Sequence, residues 1–181
     1  MRKLTHAELI TRQFAQDRKT IPCSVLVNDV RSLYNVGSIF RTADGAGLEK
    51  IWLCGITGVP PAGKISKTAL GAETRVAWEY RPQALKLLAE LKAAGTEIVL
   101  LEQTAGSVLY QDFEPSGPLC LVLGNEIAGV DERLLALTDR AIEIEMAGHK
   151  NSLNVTVAFG IVAYHIRNRL LAAATPAVKS V

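Results

Sequence analysis

Met146 to Ile166 reads MAGHKNSLNVTVAFGIVAYHI, and its two halves pull in different directions. The second is a dense apolar run through Val155, Val157, Phe159, Ile161, Val162 and Ile166. The first crowds His149, Lys150, Asn151, Ser152 and Asn154 around Leu153. A helix entering a core needs one polar cap for the orphan N–H groups of its first turn, and this one offers several. A helix over 152–169 with so few solvated faces is expected to be largely buried, so Ser152 and Asn154 need partners. A singly capped helix requires less polarity than this.

Upstream, CSVLVND after residue 22 reads as a buried strand, and apolar runs recur at IWLCGIT, EIVLLE, LCLVLG and RAIEIEM. Helical patterns separate them at 35–46, 82–94 and 152–169. The second has Pro82 at its start and Gly95 after it, the usual asymmetry of helix ends. Thr5 followed by Glu8 has capping-box spacing, and Leu9, Ile10, Gln13 and Phe14 give a partly apolar face, so a leading helix is expected over 5–18. Short β-rich runs alternating with helices predict an α/β fold, a mainly parallel sheet flanked by helices. Residues 57–67, TGVPPAGKISK, form the one long irregular loop, and the chain after Leu171 is expected to fray.

With 181 residues, 49% of them hydrophobic, one compact domain is the default. The net charge of +2 is unevenly spread: residues 1–20 carry five basic and two acidic side chains, residues 164–181 three basic and none acidic, and the middle nets −4. Basic ends weakly favour a polyanionic partner. Cys23, Cys54 and Cys120 are far apart in apolar stretches, which fits buried thiols in a reducing compartment, and no metal site is indicated. No run of about 18 apolar residues occurs, so neither a secretion signal nor a membrane span is expected, and the protein is assigned to the cytoplasm.

Gly58 and Gly63-Lys64 match G-x-x-x-x-G-K, but Pro60 and Pro61 remove two backbone donors and Ile65 stands where a Mg²⁺-binding hydroxyl belongs. An NTPase is disfavoured. A dinucleotide fingerprint is also missing, since Gly45-Ala46-Gly47 ends a helix rather than opening one. Two clusters remain beside the opening stretch. In NDVRSLYNVGSIFRTADGAG, 28–47, Asn35 could cap a helix from whose second turn Arg41 projects. In LVLGNEIAGVDERLL, 121–135, an apolar strand breaks into Gly124-Asn125-Glu126. Glu126 either lies at the ligand end of a parallel sheet or sits in the first turn of a helix.

Together, NxGxxxRTAxxxG at 35–47, LVLGNEIAGV at 121–130 and IEMAGHKNSLNVTVA at 144–158 resemble the three motifs of the SpoU/TrmH family of RNA ribose 2′-O-methyltransferases, in its order and spacing. KTALGAE at 67–73 is similar to the family's loop between its second and third strands. The third motif usually reads Ile-Pro-Met, and here Glu145 replaces the Pro. The resemblance covers roughly 22 to 168 and implies a methyltransferase domain over 21–170, which the charge and end patterns flank with a basic amino-terminal helix or extension over 1–20 and a tail over 171–181.

It further implies a carboxyl-terminal trefoil knot, S-adenosylmethionine as cofactor and a homodimer that completes the site. Methyl transfer to a ribose 2′-hydroxyl of RNA needs no metal. The carried-over catalytic set is Arg41, Asn35, Glu126, Ser152 and Asn154. Cofactor contacts are expected near Leu101, Gln103, Thr104, Gly124, Ile144, Met146 and Leu153, and RNA contacts at Arg31, Lys64 and Lys67. A guanidinium, with a pKa above about 12, is an awkward base, so Arg41 is expected mainly to bind the phosphate beside the target ribose. The short chain favours tRNA over ribosomal RNA. A non-catalytic RNA-binding protein of the same fold is the competing reading, and a Rossmann oxidoreductase is disfavoured by its missing fingerprint.

Overall fold

In the computed structural model, which describes residues 1–15 and 19–174, seven strands form one sheet of order β3-β2-β1-β6-β4-β7-β5 with every pairing parallel. The strands are β1 (Ile21–Asn28), β2 (Leu48–Cys54), β3 (Ala77–Arg81), β4 (Glu97–Leu101), β5 (Val108–Leu109), β6 (Leu119–Leu123) and β7 (Arg140–Glu143). The helices are α1 (His6–Ala15), α2 (Leu33–Ala46), α3 (Gly63–Ala69), α4 (Ala84–Ala93), α5 (Glu132–Leu135) and α6 (Val155–Ala174). The expected parallel α/β class is therefore observed.

β1 explains the layering. Cys23, Val25 and Val27 alternate with Ser24, Leu26 and Asn28, and all six are buried, as a strand covered on both faces requires. The first set joins a core with Val36, Ile39, Phe40 and Ala43 of α2 and Phe159, Val162 and Ile166 of α6. Leu26 joins a second core with Leu87 and Leu88 of α4, Cys120, Val122 and Leu134. Each large side chain so buried contributes roughly 1.5–3 kcal/mol of transfer free energy.

α2 sits close against α3 because residue 37 is glycine: a Cβ there would stand 2.1 Å from Thr68 Oγ1 and 2.3 Å from the Ile65 carbonyl oxygen. Its carboxyl end stops at Gly47, in the left-handed region at φ 68°, and Arg167 of α6 donates to the Ala46 carbonyl at 2.9 Å. α6 is thereby tied to the end of α2.

Several local expectations shift. The capping box forms, with Thr5 N donating to Glu8 Oε2 at 2.7 Å and Glu8 N to Thr5 Oγ1 at 3.3 Å, but helix α1 is described only over His6–Ala15, and 16–18 lie outside the described residues. Ser32, not Asn35, caps α2, accepting the Asn35 N–H at 3.3 Å. The expected loop over 57–67 contains the start of α3. α6 runs on to Ala174, past the point where fraying was expected, and residues 175–181 lie outside the described set. α6 is also less buried than its composition suggested: Val157, Ile161 and Tyr164 are exposed. No helix among the described residues is long and apolar enough to cross a membrane.

Candidate active site

The carboxyl ends of β4, β6 and β7 open into a cavity of about 680 Å³, within the range of small-molecule sites. Three segments wall it: 101–104 after β4, 123–130 after β6, and 143–158 from the end of β7 into α6. Parallel strands place their following loops on one edge of the sheet, so segments distant in sequence converge there.

Glu126 is the junction. Its Oε1 accepts the Asn35 side-chain amide at 2.9 Å and the Ser32 N–H at 3.1 Å, and its Oε2 accepts the Arg31 N–H at 3.1 Å. A carboxylate that accepts the N–H groups of the N-cap residue and the one before it, at the positive end of α2, is favoured by both charge and geometry. Burial pushes this carboxyl's pKa up, but the N–H donors from Arg31, Asn35 and Ser32 outweigh it and hold the group below its ordinary value. The helical-turn reading of Glu126 fails, because 125–130 is a tight turn and α5 starts only at Glu132.

Asn125 and Asn154 hold this junction in place. Asn125 Oδ1 accepts the Ile127 and Ala128 N–H groups at 2.9 and 3.0 Å, while its Nδ2 donates to the Asp29 carbonyl at 2.7 Å. Gly124 lets the chain double back: a Cβ there would stand 2.4 Å from the carbonyl carbon of Gly129. Asn154 caps α6, its Oδ1 accepting from Thr156 N at 2.8 Å, and its Nδ2 donates to Asn35 Oδ1 at 3.4 Å. The polar mouth of α6 thus meets α2 and the β6 loop. Ser152 is exposed and lines the same cavity.

All seven expected cofactor positions, Leu101, Gln103, Thr104, Gly124, Ile144, Met146 and Leu153, line this cavity, with Glu126, Ser152 and Asn154. Asn35 reaches it through its bonds. Arg41 does not line it; it is exposed on α2 and makes no hydrogen bond or ion pair among the described residues. Arg31 is exposed beside Ser32, and Lys64 and Lys67 are exposed on α3, outside the cavity. Glu145 is exposed and lines a smaller neighbouring hollow with His149 and Lys150. Sequence reasoning missed Asp29, Asn125 and Glu102. Asp29 has a left-handed φ of 57° and accepts the Ile56 N–H at 2.9 Å, which no spacing announces.

The chemistry of the lining is informative. Three carboxylates, Glu102, Glu126 and Glu143, face the cavity, and among the described residues lining it there is no lysine, arginine or histidine. A polyphosphate would be repelled, whereas a ligand with a cationic centre and an apolar ring system suits the mixture with Leu101, Ile144, Met146 and Leu153. No group of three or more His, Cys, Asp or Glu side chains among the described residues could hold a metal ion.

The SpoU rRNA Methylase family matches residues 22–164. The chain is 35% identical to the 23S rRNA (guanosine(2553)-2′-O)-methyltransferase RlmP of Bacillus subtilis over 143 residues, 79% of this chain but 57% of that relative. Among solved structures it is similar to the A. aeolicus TrmH/SpoU tRNA modifying enzyme, at TM-score 0.79 and 27% identity over 87% of this chain and 80% of that one. It is also similar to an AdoMet-bound rRNA methyltransferase from Sinorhizobium meliloti, at TM-score 0.77 and 31% identity over 84% of this chain and 60% of that one. Against curated relatives such as the Bacillus subtilis enzyme, the chain spans between 52% and 68% of their length.

Proposed function

Because the chain belongs to the SpoU methylase family, we propose that it transfers a methyl group from S-adenosylmethionine to a ribose 2′-hydroxyl of RNA. The observation that carries this reading is the junction at Glu126, where side chains or backbone of all three motifs meet beside one acidic and apolar cavity. The cofactor fits that cavity: its adenosine matches the apolar lining, and its net positive charge matches the three carboxylates. Leu101, Gly124, Ile144, Met146 and Leu153 would enclose it. When bound, S-adenosylmethionine supplies a methyl group activated by a positively charged sulfur.

The residues of the chain then divide the remaining work. Glu126, ionised and with three donors on its oxygens, is a poor proton acceptor; it orders Asn35 and the entry of α2. Asn35 and Asn154 orient the target ribose. Arg41, with no partner of its own, is free to form two parallel hydrogen bonds to the phosphate beside that ribose, which lowers the hydroxyl's pKa by neutralising its neighbour. Arg31, Lys64 and Lys67 add RNA-backbone contacts whose strength falls with salt.

Three further features belong to this reading. The order β1-β6-β4-β7, in which β6 enters between β1 and β4 and β7 returns to the far side of β4, supports a carboxyl-terminal trefoil knot. Val157, Ile161 and Tyr164, at 51%, 36% and 47% exposure, make a stripe along α6 that supports a homodimer, and a second copy completes the site because Arg41 lies outside the cavity. Three free buried cysteines support a reducing cytoplasm. The basic segment 1–20 acts as an extension of the 21–170 domain.

The RNA is tRNA or ribosomal RNA, with tRNA kept first on the likeness to the A. aeolicus enzyme and ribosomal RNA favoured by the Bacillus relative. Transfer of labelled methyl from S-adenosylmethionine to unmodified tRNA and ribosomal RNA pools, followed by nucleoside mapping, tests both. A 2′-O-methylated nucleoside in one pool selects it. No transfer with cofactor still bound would favour a non-catalytic RNA-binding role.

A further inference from the structure

Glu102 follows β4 directly and is one of the three carboxylates of the cavity, and its hydrogen bonds give it a second role that charge complementarity does not explain. Its two carboxylate oxygens serve different segments. Oε1 accepts the N–H of Gln103 at 3.0 Å, and Oε2 accepts the N–H of Val130 at 3.2 Å. Between Glu126 and Val130 the chain passes through Gly129, in the left-handed region at φ 69°, and a Cβ on that residue would stand 2.5 Å from Glu102 Oε2. The carboxylate therefore occupies the space that a side chain at 129 would need.

The β6 loop is held at its other end by different means. Asn125 and Gly129 exchange backbone hydrogen bonds of 2.8 and 3.0 Å, which close the loop on itself, and Asn125 Nδ2 pins its start to the Asp29 carbonyl. Nothing in those bonds fixes the loop to the β4 wall. Among the described residues Glu102 is the one side chain of 101–104 that hydrogen-bonds across to the 124–130 loop. Its neighbour Gln103 reaches the opposite way, donating from Nε2 to the Asn151 carbonyl at 2.7 Å. Two adjacent residues thus clasp the other two walls.

We infer that Glu102 is a positioning residue for the reaction: the tether that joins segment 101–104 to the Gly124–Val130 loop, so that filling the cavity and holding Glu126 in register are coupled. The inference rests on the cavity being the S-adenosylmethionine site. Hydrogen bonds to a charged acceptor are stronger than neutral ones, and they strengthen further when a ligand displaces water from around them. Glu126, four residues before Val130, is the group whose position this tether transmits to Asn35.

The test compares wild type with Glu102→Ala and Glu102→Gln. It follows amide exchange at Val130 without ligand, equilibrium binding of S-adenosylmethionine by calorimetry, and kcat and KM for RNA, with thermal melting as the control for folding. Loss of a charge-assisted bond predicts, for Glu102→Ala, about tenfold faster exchange at Val130, about tenfold weaker cofactor binding and a similar fall in kcat. KM for RNA and melting should stay near wild type. Glu102→Gln keeps one acceptor oxygen and should fall between. Exchange and cofactor binding unchanged in Glu102→Ala would overturn the inference. So would a lowered melting temperature with kcat and cofactor affinity of the folded protein unaltered, which is the mark of a purely structural brace. Wild-type protein that binds no S-adenosylmethionine would instead sink the methyltransferase reading, and exchange at Val130 would still decide whether the tether exists.

Discussion

The side-chain amide of Asn35 donates to Oε1 of Glu126 at 2.9 Å, across 91 positions of sequence, and through that bond the first turn of α2 is fixed to the loop after β6. Asn35 Oδ1 in turn accepts from Asn154 at 3.4 Å, so the start of α6 joins the same chain of bonds. Removing the carboxylate should loosen all three elements at once. Glu126→Ala leaves the Arg31 and Ser32 N–H groups without their acceptor, at a cost of about 1 kcal/mol in stability, and by letting Asn35 drift should lower kcat/KM about a hundredfold, read by calorimetric melting and methyl-transfer assay.

The same group sets an acid limit. Its pKa is lowered in the folded protein relative to the ordinary 4.5, so its bonds contribute stability above that value and lose it as pH falls through the lower, folded one. Wild type should therefore lose melting temperature more steeply than Glu126→Gln as pH is taken down through this window. Parallel curves would show that the junction contributes nothing to stability.

Arg41 separates activity from stability. It is exposed and makes no ion pair among the described residues, so Arg41→Lys should leave melting within about 0.5 kcal/mol of wild type. A lysine keeps the charge but cannot form the planar two-bond contact to a phosphate, so the single-turnover rate should fall by tenfold or more. Retention of most of that rate would refute the phosphate-binding role.

Asn154 has two duties that one pair of substitutions divides. Asn154→Ala removes the cap on Thr156 N and should cost about 1 kcal/mol of stability. Asn154→Asp keeps the accepting oxygen but loses the donor to Asn35, so it should melt near wild type while transferring methyl groups more slowly.

Cysteine chemistry offers a check on the core itself. Burial pushes the thiols of Cys54 and Cys120 up to about 12, in Cys120 against the opposing hydrogen bonds of Ser24 and the Leu26 backbone. Thiolate is the reactive form, so a thiol reagent at neutral pH should label neither until the protein unfolds. Rapid labelling of the native protein would mean that β1, β2 and β6 open far more readily than their packing implies.

The alternation of apolar strand runs with helical spacing was sufficient to specify a parallel α/β sheet, because both faces of each central strand must be covered and the composition already says so. The three motif segments were legible for the same local reason: short polar groups placed beside apolar runs stand out where no single cap requires them. Local pattern misjudged α6, whose Val157, Ile161 and Tyr164 are exposed, because hydrophobicity reports a preference for burial and not the surface that provides it. It also assigned the α2 cap to Asn35 when Ser32 holds that place and Asn35 turns to Glu126. The bonds from Glu102 to Val130, from Asn125 to the Asp29 carbonyl and from Asp29 to Ile56 have no signature in the chain, since each joins groups dozens of positions apart, although Asn125 itself stands inside the second motif. The layers and the family can be read along the chain, because they depend on short-range periodicity and on motif order. Which carboxylate meets which N–H emerges on folding, because those partners become neighbours when parallel strands bring their carboxyl ends to one edge.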